Sequence, residues 1–415
     1  MDNSIININN IIYNENIRIY FQPIISVKKK SIIGFESLCR GLNTGTNKII
    51  SPDTLFEFAR HKNMNLELDR LCRKKALEAY KFNNFENKNY ILFLNLDTSI
   101  MDNGIVGSGH LLNMVKNLDL FSNNIVIEIV ESKVRDTKSL EKFINTYKEK
   151  GYLTALDDVG SGYSNLDRVA LVKPDILKID KGIISYIDKY FYKQEIFKSL
   201  VNLSRKIGAL VVAEGVEREE EALVSLELGA DMLQGFYFSK PQDYTFVTDE
   251  KTKKNIFYIA NKFNNYMTYK IKSIKLMYQE YYMVLSNIIN ELSNVTCDNF
   301  DDMLSVIIQK YTIVECIYII NESGTQITET FCDQLKIKRN SKIYGPAKKG
   351  TEHSLKDYYY YLMSTGSTQF TTEPYISLAS GNLCITISSQ FEDVNSNRFI
   401  LCIDIKVLPS NTCLP

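Results

Sequence analysis

The sequence predicts an α/β protein: an irregular TIM (β/α)8 barrel with one antiparallel strand, followed by a linker helix and a smaller α+β domain. Three observations carry that prediction. Between residues 15 and 245, short apolar runs rich in β-branched residues alternate with longer stretches of helical periodicity, the pattern of repeated βα units. Most of those runs end on a polar or charged residue, where barrel strands present side chains to the mouth. From about residue 250 the texture changes: glycine and proline vanish and the alternation stops.

The candidate strands are 18–24, 32–36, 91–95, 125–129, 153–157, 175–179, 209–214 and 232–237, eight in all. The first two are joined by a Lys-rich link with no room for a helix, which predicts a hairpin and the one antiparallel strand. Ser51-Pro52-Asp53 supplies a cap and a first-turn proline for the next helix, and Leu66 to Tyr80 carries apolar residues at three- and four-residue spacing. The Lys/Tyr/Asn/Ile/Met segment from 250 to 295 predicts a long connecting helix ending near Glu291-Leu292-Ser293. Phe300 to Lys310 reads as a further helix, and alternating runs at 312–320, 382–389 and 398–406 read as strands of an antiparallel sheet. The expected organisation is a barrel over 1–248, a helical linker over 249–297 and a smaller domain over 298–415.

Composition narrows the class of function. Of 415 residues, 45% are hydrophobic and 24% charged, enough to bury a large core. Lys plus Arg equals Asp plus Glu at 49 each, so no global field holds a polymeric nucleic acid or an anionic membrane. Eight cysteines stand without a CxxC pair or a nearby histidine, which argues against zinc and for reduced, mostly buried thiols. His61, His110 and His353 sit in no cluster, and packing or surface roles are expected of them. No secretory leader pattern and no apolar run near 18 residues is present, so membrane insertion is not expected and a cytoplasmic location is.

The chemistry lies where polar residues close the apolar runs. Glu36, Asn95, Glu128, the pair Asp157-Asp158, Lys178, Glu214 and Gln234 each end one. Carboxylates converging on one barrel mouth repel each other unless cations neutralise them. Oxygen ligands and one amide, with no sulfur or imidazole, select a hard ion, Mg²⁺ or Mn²⁺. The adjacent aspartates can serve two ions, one bridging, and a pair of metals about 4 Å apart is the usual apparatus for phosphodiester hydrolysis. Lys178 adds positive charge beside it.

Residue chemistry stops at a phosphodiester; resemblance goes further. Phe21-Gln22-Pro23-Ile24, Glu36-Ser37-Leu38-Cys39-Arg40, Glu128-Ile129-Val130-Glu131-Ser132, Leu156 to Ser164, Leu177-Lys178-Ile179-Asp180, Ala213-Glu214-Gly215-Val216-Glu217 and Gln234-Gly235-Phe236 resemble the EAL-domain signature, in the family's order, over residues 15 to 243. The resemblance implies a metal-dependent phosphodiesterase that linearises cyclic di-GMP to pGpG. It implies Glu36, Asn95, Glu128 and Asp157 as ligands of one metal, and Asp157, Asp158 and Glu214 as ligands of the second. Lys178 would contact the hydrolytic water or phosphate, and Glu214 would be the general base. Gln22, Arg40, Asp180 and Gln234 would lie along the dinucleotide. Glu131 would brace the loop from 159 to 168, whose Gly160 and Gly162 permit unusual backbone angles. Glu217 reads either as a supporting partner of the site or as the first turn of a helix. Two positions depart from the family: Ser37 stands for alanine, and Val159 for the phenylalanine that follows the aspartate pair.

Phe370 to Ser377, followed by Ser380-Gly381-Asn382 and Leu383 to Ile387, resembles the PAS/Cache-like sensory domain that follows the barrel in some EAL proteins. That implies a regulatory module, a homodimer and an unidentified small-molecule ligand. The rivals are a catalytically inactive cyclic di-GMP receptor and a barrel hydrolase acting on another diester. No GGDEF-like segment is present, so cyclase activity is not expected.

Overall fold

The computed structural model describes residues 7–43, 45–46, 48–97, 109–130, 137–161, 166–246, 250–335, 337 and 344–407. It divides into two compact units, Met1–Met267 and Thr268–Pro415.

In the first unit eight strands close into a barrel: β1 (Ile17–Ser26), β2 (Ser31–Asn43), β4 (Ile91–Leu96), β5 (Ile125–Val130), β6 (Leu153–Val159), β7 (Ile176–Ile179), β8 (Leu210–Ala213) and β9 (Met232–Leu233). The short β3 (Lys48–Ile50) pairs with β2, and β10 (Gln242–Asp243) with β1. The hairpin expected from the Lys-rich link is present, and β1 runs antiparallel to both β2 and β9. Every other pairing around the ring is parallel. Around the barrel lie α1 (Ile8–Tyr13), α2 (Pro52–His61), α3 (Asn65–Phe82), α4 (His110–Asn117), α5 (Thr137–Glu149), α6 (Leu166–Val172), α7 (Lys181–Ile184), α8 (Phe191–Ile207) and α9 (Glu219–Glu227). The Ser51 side chain accepts the Thr54 N–H at 3.4 Å and Pro52 begins α2, as its cap signal predicts.

The inside of the barrel is filled by Ile24, Phe93, Val126, Ala155, Ile176, Val212 and Met232, a separate apolar layer. This floor fixes the site, because strand side chains alternate with a period of two. Two residues beyond Phe93 comes Asn95, beyond Val126 comes Glu128, and beyond Ala155 comes Asp157. The same step leads from Ile176 to Lys178, from Val212 to Glu214 and from Met232 to Gln234. In β1, which runs the other way, Gln22 precedes Ile24.

The helix α10 (Glu250–Leu292) begins in the first unit, where Ile256 and Ile259 join the outer core, and ends in the second, where Leu285, Ile288 and Leu292 are buried. No described helix is long and apolar enough to cross a membrane. The second unit contains α11 (Phe300–Lys310), α12 (Asp357–Thr365) and an antiparallel sheet of β11 (Val314–Asn321), β12 (Phe331–Cys332), β13 (Gln369–Thr371), β14 (Tyr375–Ile376), β15 (Leu383–Glu392) and β16 (Arg398–Lys406). Its path is β12-β11-β16-β15-β13, with β14 also on β15. One face packs against α10 and α11 through Ile317, Ile387 and Leu401; the other, with Tyr318, Ile400 and Cys402, packs against Tyr358 and Leu362 of α12. Both faces are therefore covered.

One expectation is corrected here. Cys316 and Cys332 form a disulfide between paired positions of β11 and β12, so the thiols are not all reduced. Their 16-residue separation places them opposite one another only once the strands pair, which no local spacing rule reveals. His353 is a packing residue: it is buried, with its ring nitrogens bonded to the Tyr358 hydroxyl and Gln326 Oε1.

Candidate active site

Lys178 stands at the centre of the barrel mouth, 1% exposed. Its Nζ lies 2.7 Å from Glu128 Oε1, 2.7 Å from Glu214 Oε1, 3.0 Å from Asp157 Oδ1 and 3.3 Å from Glu36 Oε2. Asn95 donates to Glu36 Oε1 at 2.8 Å, and Gln234 donates to Glu36 Oε2 at 2.7 Å and to Gln22 Oε1 at 3.3 Å. Gln22 donates in turn to the Ser239 carbonyl. Residues from β1, β2, β4, β5, β6 and β7 and from the ends of β8 and β9 thus meet at one level.

Four carboxylates against one ammonium leave an excess of buried negative charge. Burial, then the neighbouring Glu36 charge, pushes the Glu128 carboxyl well above the usual range, with Lys178 opposing. Burial and Asp157 do the same to Glu214. At Glu36 burial also acts upward, but attraction to Lys178 and the Gln234 and Asn95 hydrogen bonds prevail, and its carboxyl lies below its ordinary value. Lys178 is driven down by burial and, more strongly, up by Asp157 and the other carboxylates, to well above its ordinary value. Glu128 Oε2 is buried without a hydrogen-bond partner.

β6 supplies two consecutive ligands through a distortion. In a regular strand Asp157 and Asp158 would point to opposite faces. Here the pairing with β7 slips between Leu156 and Val159, Asp158 adopts a left-handed φ of 57°, and both aspartates line one cavity. Oxygens of Asp157, Asp158 and Glu214 come within 4.8 Å of one another. Gly160 follows with φ of 94°, and a Cβ there would fall 2.2 Å from Ile183 Cδ1, so glycine is required. Val159, in the family's aromatic position, is buried in the outer core.

These donors suit a hard divalent cation. Every candidate ligand atom is oxygen, three carboxylates converge, and Glu128 keeps a buried oxygen unpartnered. The cavity, of about 350 Å³, extends from Glu36, Asn95, Asp157 and Asp158 to Arg40 on β2 and to Phe56 and Arg60 on α2.

The remaining expected residues divide. Arg40 lines the cavity and donates to the Cys39 carbonyl at 2.8 Å. Asp180 caps α7, accepting the Gly182 N–H at 2.8 Å, and is not among the residues lining this cavity. Glu217 precedes α9 and ion-pairs with Lys181 at the surface, so the first-turn alternative does not describe it. Ser37 donates to the Phe93 carbonyl on neighbouring β4. Glu131 and Gly162 lie outside the described residues.

The strand pattern missed a layer contributed by helices. Asp69 and Arg73 of α3 form a buried ion pair in the cavity wall, and Asp69 Oδ1 accepts the Asp97 N–H at 3.1 Å, just past β4. Burial raises the Asp69 carboxyl, with Arg73 opposing. Their i,i+4 spacing was a usable signal for the pair, but not for its place against the cavity.

Known proteins resemble this chain in sequence and in fold. The EAL domain family matches residues 7–241. YkuI of Bacillus subtilis, an EAL-domain protein, is 24% identical over 90% of this chain and 91% of its own length. Its crystal structure with substrate cyclic di-GMP and calcium matches in fold with a TM-score of 0.77 at 23% identity, over 97% of this chain and all of that one. The cyclic di-GMP phosphodiesterase PdeA of Borreliella burgdorferi is 30% identical over 56% of this chain but only 34% of its own length. BlrP1 of Klebsiella pneumoniae, solved with manganese and cyclic di-GMP, gives a TM-score of 0.50 at 26% identity over 55% of this chain and 57% of that one.

Proposed function

The chain belongs to the EAL-domain family, and from that premise we propose that it hydrolyses cyclic di-GMP to linear pGpG with two divalent ions, Mg²⁺ or Mn²⁺, at the barrel mouth. The observation that carries this reading is the convergence of Glu36, Glu128, Asp157 and Glu214 on Lys178, with Asn95 and Asp158 beside them. PdeA is named a cyclic di-GMP phosphodiesterase, and the named metals of the YkuI and BlrP1 complexes are divalent.

In this reading Glu36, Asn95, Glu128 and Asp157 hold one ion, and Asp157, Asp158 and Glu214 the other. Bound ions supply Lewis acidity at the phosphoryl oxygens and lower the pKa of water. Lys178 holds four of the ligand carboxylates in register and offers positive charge to the phosphate. Glu214 accepts the proton of the attacking water at its carboxylate, and the apolar floor keeps bulk water from the rear of the site. Arg40, on the cavity wall, orients the dinucleotide together with Gln22, Gln234 and Asp180. Glu131 braces the loop from 159 to 168, which contains Gly160 and Gly162 and couples dimerisation to metal binding. The second unit acts as a PAS-like regulatory domain with its own small-molecule ligand, and the protein works as a cytoplasmic homodimer.

Chromatography of cyclic di-GMP and pGpG after incubation with Mg²⁺, Mn²⁺ or EDTA tests the reading. Metal-dependent appearance of pGpG is expected. Tight binding without cleavage in either metal overturns activity and leaves a receptor.

A further inference from the structure

A turn between the site and α10 sets two of the side chains at the barrel mouth. It runs from Gln234, just past β9, to Ser239, and the Phe238 and Ser239 N–H groups both return to the Gly235 carbonyl, at 3.1 and 3.2 Å. Gln234 donates to Glu36 and to Gln22, and the Ser239 carbonyl accepts from Gln22 at 3.3 Å. The turn is also locked to the segment that follows Glu214. Val216 N–H donates to the Gln234 carbonyl and Tyr237 N–H to the Val216 carbonyl, each at 3.0 Å. A Cβ on Gly235 would fall 2.0 Å from the Val216 oxygen, so the two backbones approach closely.

The remaining tie comes from α10. The Asn255 side-chain amide donates to the Tyr237 carbonyl at 2.9 Å. Thr252 and Ile259, three residues before Asn255 and four after it, are buried, so this face of the helix is seated. Lys262 pairs with Glu219 of α9 at 2.9 Å, and the Tyr266 hydroxyl donates to Glu227 of the same helix. Asn255 lies beyond the residues 7–241 that the EAL family matches.

We propose that Asn255 is a positioning residue for the dinucleotide: through the Tyr237 carbonyl it holds the turn from Gln234 to Ser239, and with it the angle at which Gln22 and Gln234 meet the ligand. The effect falls on binding. Glu214 has its own anchor, its N–H donating to the Ile179 carbonyl of β7 at 3.0 Å, so the proposed base keeps its place when the turn loosens. The helix that steadies the turn is the one whose far end, at Leu292, is buried in the second unit.

The effect on the dinucleotide rests on the proposed function; the hold on the turn does not. The test uses the full chain carrying Asn255→Ala or Asn255→Asp. Alanine is the better helix former, and aspartate keeps the shape of asparagine while losing the donor. With cyclic di-GMP in Mn²⁺, KM should rise roughly three- to tenfold in both variants, the scale of one hydrogen bond, with kcat within about twofold. A protein that binds without cleaving shows the same rise in Kd. Hydrogen exchange read by mass should quicken over the peptide spanning 234–239 and stay unchanged over 256–266. Unchanged KM and Kd in either variant overturn the proposal, as does a fall in kcat alone or unchanged exchange over the turn. If the unaltered protein neither cleaves nor binds cyclic di-GMP, the functional reading fails, while exchange still decides whether Asn255 holds the turn.

Discussion

Both units bury carboxylates inside a sheet, and they treat them in opposite ways. In the barrel, Glu36, Glu128, Asp157 and Glu214 surround one lysine at the edge of an open cavity. In the second unit Glu315 and Asp404 are buried, and no lysine, arginine or histidine among the described residues pairs with either. Asp404 accepts from the Thr386 hydroxyl at 2.7 Å and the Ser377 hydroxyl at 3.1 Å, while Glu315 accepts from Asn382 at 2.6 Å. Burial pushes the Asp404 carboxyl up to about 6 although both hydroxyls oppose it. Asp404 meets only neutral donors, whereas the barrel carboxylates share one ammonium, which opposes burial at every one of Glu36, Glu128 and Glu214 and prevails at Glu36. Buried acids therefore mark a site here only where they share a cation and a cavity.

Four substitutions can break or sharpen that contrast. Glu214→Gln should have the largest effect, lowering turnover by roughly 10²–10⁴-fold while cyclic di-GMP binding persists; near-wild-type rates in the product assay would remove Glu214 from its role. Lys178→Met leaves the carboxylates facing one another and should destabilise the barrel by about 3–5 kcal/mol in EDTA, partly recovered in Mn²⁺. Denaturant unfolding with and without metal measures it, and an unchanged midpoint would mean the lysine does not hold the cluster.

Asp404→Asn should do the reverse and stabilise the second unit. The folded carboxyl titrates at about 6 against an ordinary 3.8, so ionisation opposes folding. Wild-type stability from this group is full below about pH 4 and lost as pH rises through 6, a difference on the order of 3 kcal/mol at neutral pH. The variant's advantage should vanish in unfolding curves at acid pH; an advantage independent of pH would show that Asp404 does not titrate as described. Glu217→Ala removes only a surface ion pair and should change stability by less than about 0.5 kcal/mol and turnover little. A large loss of turnover with intact folding would return Glu217 to the site.

The barrel residues were legible because an apolar residue and a polar one two places later share a face in an all-inward geometry. Phe93 with Asn95 and Val126 with Glu128 read directly. Asp158 was legible as a ligand only by its neighbour, since the slipped register and left-handed backbone that turn it inward have no sequence mark. Asp69 and Arg73 were hidden for another reason: they lie on a helix whose other residues pack into the core, so their spacing did not separate cavity wall from core. Asp404, between Ile403 and Ile405, fits an alternating strand with a solvent face. That face is instead covered by α12 and β14, which only tertiary structure reveals. The Cys316–Cys332 bond was invisible for the same reason.

The apolar floor of Ile24, Phe93, Val126, Ala155, Ile176, Val212 and Met232 makes the barrel a blind alley. Whatever reacts at Lys178 must back out through the doorway by which it arrived. On the proposed activity, cleaved dinucleotide and fresh substrate would then exclude one another, giving competitive inhibition by product, with departure from the doorway a natural limit on the pace of the cycle.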